Sequence, residues 1–175
     1  TFADLENILV NDYKVNKRKS SGRVETALIH LRAFWGRHRA IEITGDLVMV
    51  YILRRQKAGA ANATINRELA ALKRAFHLAK RARRVELIPH IPLLQENNVR
   101  KGFFEAGEFR VVLTHLPVDL QPVFEVAYIT GWRVRSEILT RQWSHVDFRG
   151  GWLRLEPGEG KTKKGRMFPL TPELR

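Results

Sequence analysis

Ile65, Leu69, Leu72, Phe76 and Ala79 recur every three or four residues, a spacing that puts all five on one face of a helix. Arg67, Arg74 and Arg81 recur every seven residues, with Lys73 and Lys80 beside that row. One helix therefore carries an apolar stripe, which must find a core, and a cationic stripe. The cationic stripe reads either as an ordinary solvated face or as a surface for a polyanion. Local charge favours the second reading: residues 51–101 hold 12 Lys plus Arg against 3 acids, a net of +9, whereas residues 102–175 hold 11 against 9, a net of only +2. A basic excess concentrated in a helical segment is the electrostatic footprint that nucleic acid requires.

Over all 175 residues the formal charge is +13 and the hydrophobic content 44%. That content supports packed cores and argues against disorder, and the length allows one or two domains. No uninterrupted apolar run approaches the ~18 residues of a membrane span, so the expected polyanion is nucleic acid rather than a membrane surface. There is no cysteine, which removes disulfides and thiol chemistry and fits a cytoplasmic setting. The six histidines are scattered, so no structural zinc and no cofactor are expected.

Upstream of the basic helix, three more helices are expected. Phe2, Leu5, Ile8 and Leu9 mark the first, which gives way to a basic loop around Lys17, Arg18 and Lys19. Val24, Ala27, Leu28, Leu31 and Trp35 mark a second, running from about Ser21 to Gly36. Leu47, Val50 and Tyr51 begin a third, after Thr44-Gly45-Asp46, that fades at Gly59. Pro89, Pro92 and Asn97-Asn98 then interrupt helix, and Arg100-Lys101-Gly102 reads as a linker, which places a domain boundary near residue 100. Two lobes joined there would hinge around a bound duplex.

Beyond the boundary, apolar spacing predicts core helices over Glu105–Leu116 and Leu120–Ile129. Gly131 stops the second of them, and Ser136 to Arg141 continues as a short helix. Trp152 to Leu155 alternates as a strand, Pro157-Gly158 with Gly160 turns, and Arg166-Met167-Phe168 returns, which sets Lys161 and Lys163 in or beside a hairpin tip. The turn Thr130-Gly131-Trp132-Arg133-Val134-Arg135 aims always-charged guanidiniums, a donor geometry suited to a phosphodiester oxygen. The plainer reading of Arg133 is an i,i+4 ion pair with Glu137, or simple solvation.

Three blocks in this order resemble the tyrosine recombinase (phage integrase) family. They are Thr130-Gly131-Trp132-Arg133 with Glu137 and Leu139, then Trp143-Ser144-His145-Val146-Asp147, then Lys161-Thr162-Lys163-Lys164-Gly165-Arg166 closed by Phe168-Pro169-Leu170. Thr64-Ile65-Asn66-Arg67-Glu68-Leu69 extends the resemblance to the family's DNA-clasping helical domain. The resemblance implies a mainly α chain: a helical, SAM-like DNA-binding bundle over 1–100, then the first part of an α+β catalytic domain over 101–175 with a small antiparallel hairpin or sheet. It implies Arg133 as the first catalytic arginine, with Arg135 as the alternative, because the Arg133-to-Glu137 spacing is one residue longer than usual in the family. It implies Lys161 as the hairpin lysine, with Lys163 as the alternative. Arg67, Lys73, Arg74, Lys80, Arg81 and Arg166 are the expected DNA contacts.

The family's chemistry is strand exchange through a covalent 3′-phosphotyrosine, by tetramers assembled on double-stranded DNA. It also needs a His-x-x-Arg element and a late tyrosine. His90, His115 and His145 are followed three residues on by Leu93, Val118 and Phe148, and Tyr13, Tyr51 and Tyr128 all precede Arg133. The chain starts at Thr1 and stops at Thr171-Pro172-Glu173-Leu174-Arg175, which reads as a helix beginning. A fragment that binds DNA without cutting it is the expectation. A non-catalytic DNA-binding regulator or accessory module is the other class, and it would have no need of a positioned Arg133 facing a lysine-tipped hairpin.

Overall fold

A computed structural model describes residues 1–97, 102–160 and 164–175. The chain divides into two compact units, Thr1–Arg100 and Lys101–Arg175. Arg100 and Lys101 of the expected linker lie outside the described residues, as do Lys161 and Lys163.

The first unit is a bundle of α1 (Phe2–Val15), α2 (Ser21–Trp35), α3 (Gly45–Lys57) and α4 (Asn62–Arg81). α1 starts at Thr1, whose hydroxyl accepts the Asp4 N–H at 3.3 Å, and α3 starts at Thr44, which accepts from Leu47 N at 3.3 Å. Such caps satisfy backbone donors that have no partner inside the helix. α4 is the hub, packed against α1, α2 and α3. Ile65, Leu69, Leu72, Phe76 and Ala79 are all buried there, with Phe2, Leu5, Leu9, Leu28, Leu31, Trp35 and Ile52 among their neighbours in one core. Each of the larger aliphatic or aromatic side chains withdrawn from water contributes about 1.5–3 kcal/mol.

Polar side chains of α4 fix what packs on it. Glu68, 2% exposed, accepts from the Tyr51 hydroxyl at 2.6 Å and from Arg55 Nε and Nη2 at 3.0 and 2.7 Å, which locks α3 to α4. Burial, with that carboxylate next, pushes the Tyr51 phenol far above its ordinary pKa. The Asn66 side-chain amide exchanges hydrogen bonds with the Leu94 backbone (Nδ2 to O, 2.8 Å; N to Oδ1, 2.9 Å), and Asn62 donates to Gln95 O at 2.8 Å. The proline-bearing stretch after the helix is thereby pinned along α4, with Ile91 in the core.

The second unit holds α5 (Ala106–Thr114), α6 (Gln121–Thr130) and a three-stranded antiparallel sheet in the order β1-β2-β3. Its strands are β1 (Val146–Asp147), β2 (Trp152–Leu155) and β3 (Arg166–Pro169). β2 pairs with β3 from Trp152↔Pro169 to Leu155↔Arg166, and β1 pairs Val146 with Leu153. β1 carries too short an alternation to be read from sequence. Asp147 makes its turn: it accepts the Gly150 N–H at 2.7 Å, and a Cβ on Gly150 would meet Asp147 Oδ2 at 2.5 Å.

Two expectations need correction here. α5 and α6 are not core helices: none of their residues is buried. The core of this unit is instead Trp132, Ile138, Leu153, Leu155 and Leu170, against which Val123, Val126 and Ala127 of α6 lie partly buried. The helix expected from Ser136 to Arg141 is also not an α-helix. Residues Val134–Ile138 form a single π turn.

Candidate nucleic-acid interface and active-site turn

The expected DNA contacts of the first unit fall into two kinds. Lys73, Lys80 and Arg81 are exposed on α4, and among the described residues no ion-pair partner holds them. Arg67 is also exposed, bonded to its own helix through Ala63 O at 2.9 Å. Arg74 differs. Its Nη2 pairs with Asp12 Oδ2 at 2.7 Å and its guanidinium lies 5.8 Å from the centre of the Tyr13 ring. Arg18 reaches the same carboxylate at 3.1 Å and the same ring at 5.6 Å. The Arg74 hydrogen bond, ahead of the other contacts, holds the Asp12 carboxyl below its ordinary range. Arg74 thus spends its charge tying α4 to α1, a pairing across 62 positions that helical periodicity does not reveal.

In the second unit the arginine turn is built by its neighbours. Gly131 takes φ +66°, the left-handed conformation that a side chain disfavours, and its N–H closes α6 on Ala127 O at 2.9 Å. Thr130 donates its hydroxyl to Val126 O at 2.6 Å and accepts Trp132 N at 3.1 Å. The chain reverses there, which sends Trp132 into the core and leaves Arg133 outside at the head of the π turn.

Glu137 lies beneath that turn, 1% exposed. Its Oε2 accepts the Arg133 backbone N–H at 2.9 Å. Its Oε1 accepts Arg133 Nη1 at 2.9 Å and Arg166 Nη2 at 2.8 Å. The Arg133 backbone N–H is the main cause that holds the Glu137 carboxyl below the ordinary range, with Arg166 and then the Arg133 side chain adding to it against the opposing effect of burial. Both guanidiniums stay accessible, 55% for Arg133 and 42% for Arg166. Arg166 also lies over Trp132, 5.8 Å from the ring centre. The i,i+4 ion pair and the aimed arginine are therefore one arrangement.

The long Arg133-to-Glu137 spacing has a structural counterpart. Ile138 N and Leu139 N bond five residues back, to Arg133 O and Val134 O, at 3.1 and 2.9 Å. A turn of this kind absorbs one extra residue while its two ends keep their places. Arg133 stays on Glu137, whereas Arg135 is exposed and has no side-chain partner among the described residues.

Arg141 was not singled out from sequence. Its side chain is 9% exposed, and it bridges the sheet to the loop after β2, donating to Arg154 O at 2.9 Å and Glu159 Oε2 at 2.6 Å. Nothing local marks a charged side chain for burial, so no sequence signal could have found it.

At the level of sequence, no protein-family model and no curated protein matches the chain. Solved structures do. A lambda integrase tetramer bound to a Holliday junction matches with a TM-score of 0.81 and 19% identity, over 99% of this chain and 53% of that one. A lambda integrase dimer bound to a COC' core site gives 0.74 and 19%, over 93% and 47%. The Tn1549 transposon integrase in complex with transposon right end DNA gives 0.70 and 17%, over 98% and 62%. The chain spans about half the length of these proteins, and over that span it has the fold that the lambda and Tn1549 integrases share.

Proposed function

We propose that this chain is the DNA-gripping part and the first catalytic segment of a site-specific tyrosine recombinase. The observation that carries the reading is Arg133, held at the head of its turn by a buried Glu137 in a fold shared with integrases solved on DNA. In this reading Arg67, Lys73, Lys80 and Arg81 of α4 lie along the phosphates of duplex DNA, and Arg74 joins them only by exchanging its contact with Asp12.

Strand exchange without a high-energy cofactor proceeds by transesterification, in which an attacking hydroxyl keeps the phosphodiester energy as a covalent ester. Charge builds on the non-bridging oxygens, and preplaced guanidinium donors such as Arg133 stabilise it. The departing 5′ oxygen takes a proton, the role proposed for Lys161, with Lys163 as the alternative two residues on. In this reading the nucleophile lies outside these 175 residues, whose tyrosines all precede Arg133. Tyr51 is buried on Glu68, Tyr13 sits under Arg18 and Arg74, and Tyr128 stacks on Phe109 at 3.9 Å. Subunits of the longer protein would assemble on DNA as the lambda integrase tetramer does.

Two measurements test this. The chain binds duplex DNA with steep salt dependence, yet forms no covalent complex with a nicked suicide substrate; a gel-stable adduct through Tyr13, Tyr51 or Tyr128 would overturn the assignment. In the longer protein, Arg133→Ala abolishes cleavage and leaves DNA affinity within a few-fold, since one preplaced donor contributes about 3–4 kcal/mol in the transition state. Cleavage lost in Arg135→Ala and kept in Arg133→Ala would move the catalytic arginine across the π turn.

A further inference from the structure

Arg133 does not stand alone on Glu137. Arg166, from the start of β3, reaches the same oxygen, so the two contacting guanidinium nitrogens lie within about 6 Å of each other. We propose that Arg166 is a second oxyanion-binding residue, forming with Arg133 a preassembled clamp for one tetrahedral phosphate. The proposal rests on the reading above only for the identity of that phosphate as a DNA phosphodiester.

Four observations carry it. Two cations share one carboxylate, so the cluster keeps a net positive charge. The acceptor is already occupied, Oε1 by both guanidiniums and Oε2 by the Arg133 backbone N–H. Each guanidinium has five N–H donors and, among the described residues, spends one on Glu137, while the side chains stay 55% and 42% exposed. Arg166 is also seated on the buried Trp132 ring, so its plane is held before a ligand arrives.

Stability alone gives little reason for this arrangement. Half-exposed arginines return little for a carboxylate withdrawn from water. Fixing two forks at one separation is what the burial achieves, and paired guanidinium forks match the oxygens of a phosphate.

Inorganic phosphate titrated into the 175-residue chain at constant ionic strength, followed by the arginine Nε–Hε resonances, tests the clamp. The Arg133 and Arg166 signals should move together along one saturating curve. Arg166→Gln should weaken the Arg133 response at least tenfold, and Arg166→Lys, which keeps the charge and loses the fork, several-fold. Arg154→Gln, an equally exposed arginine on the same sheet that pairs with Asp147, should change it by less than twofold. Unsaturating shifts spread over Arg67 and Arg81 as well, or an Arg133 response unchanged in Arg166→Gln, would overturn the clamp. DNA binding in the salt titration with no phosphate response would also overturn it while leaving the recombinase reading in place. Phosphate binding with no DNA binding would keep the clamp and sink that reading.

Discussion

Each unit buries one glutamate under arginine, and the two are used differently. Glu68 meets Tyr51 and Arg55 inside the bundle, and Arg55 is itself only 17% exposed. Glu137 meets Arg133 and Arg166, which stay 55% and 42% exposed. In the first case all partners are withdrawn from water, so the cluster acts as a bolt between α3 and α4. In the second the acid is hidden and the cations are displayed. Burial of the anion alone holds charged donors at a surface without consuming them, and that separates the displayed pair from the structural one.

The surroundings follow the same division. The first unit closes its core around the five apolar positions of α4. Among its described residues the second gathers five buried apolar side chains and leaves Val111, Phe124 and Tyr128 of α5 and α6 substantially exposed.

The largest break in the comparison is expected at Glu68. Glu68→Gln should cost about 3 kcal/mol, read by urea denaturation, because Arg55 loses its counter-charge where water cannot replace it. Glu137→Gln should cost about 1 kcal/mol, since Arg133 and Arg166 turn out to solvent. Equal losses would erase the distinction between bolt and display.

Acid sharpens the same contrast. Glu137 has its carboxyl depressed in the folded chain, so its contribution is fully present above the ordinary glutamate range, near ~4.3, and is lost as pH falls through the lower folded value. The pH dependence of stability below ~4 should therefore flatten in Glu137→Gln. A profile unchanged by that substitution would show that the carboxylate is not held by its arginines.

The smallest effect lies on α4. Reversing Arg67 and Arg81 together should reduce the salt slope of DNA binding by roughly 2, at about 0.9 per phosphate contact. Arg74→Glu should instead register as a stability loss under about 1 kcal/mol, through its half-exposed pair with Asp12. A slope change from Arg74 equal to that from Arg81 would return it to the interface.

Much of this was legible in the residues. The α4 stripe, the helix stop at Gly131 and the hairpin that returns the 152–155 segment as 166–168 all depend on nearby stretches of chain, which local patterns record. The resemblance carried Arg133 and Glu137 as a pair, and the i,i+4 spacing suggested their contact. The one-residue excess in that spacing was visible, but its resolution as a π turn was not. That depends on Trp132 and Ile138 both reaching a core completed by Leu153, Leu155 and Leu170. The helical spacing in α5 and α6 was also real, yet spacing states only which side is apolar, and here nothing buries it fully.

The sequence by itself determined that α4 has one face for a core and one rich in charge, and that an arginine follows a threonine-glycine helix stop. Only the tertiary structure decided which charges are available. It drew Arg74 onto Asp12 across 62 positions, tied Arg141 to Glu159, and brought Arg166 to Glu137 beside Arg133. Periodicity is set by the backbone repeat and can be read one segment at a time. Ion pairing and burial depend on which segments meet, and distant residues are joined only when the chain has folded.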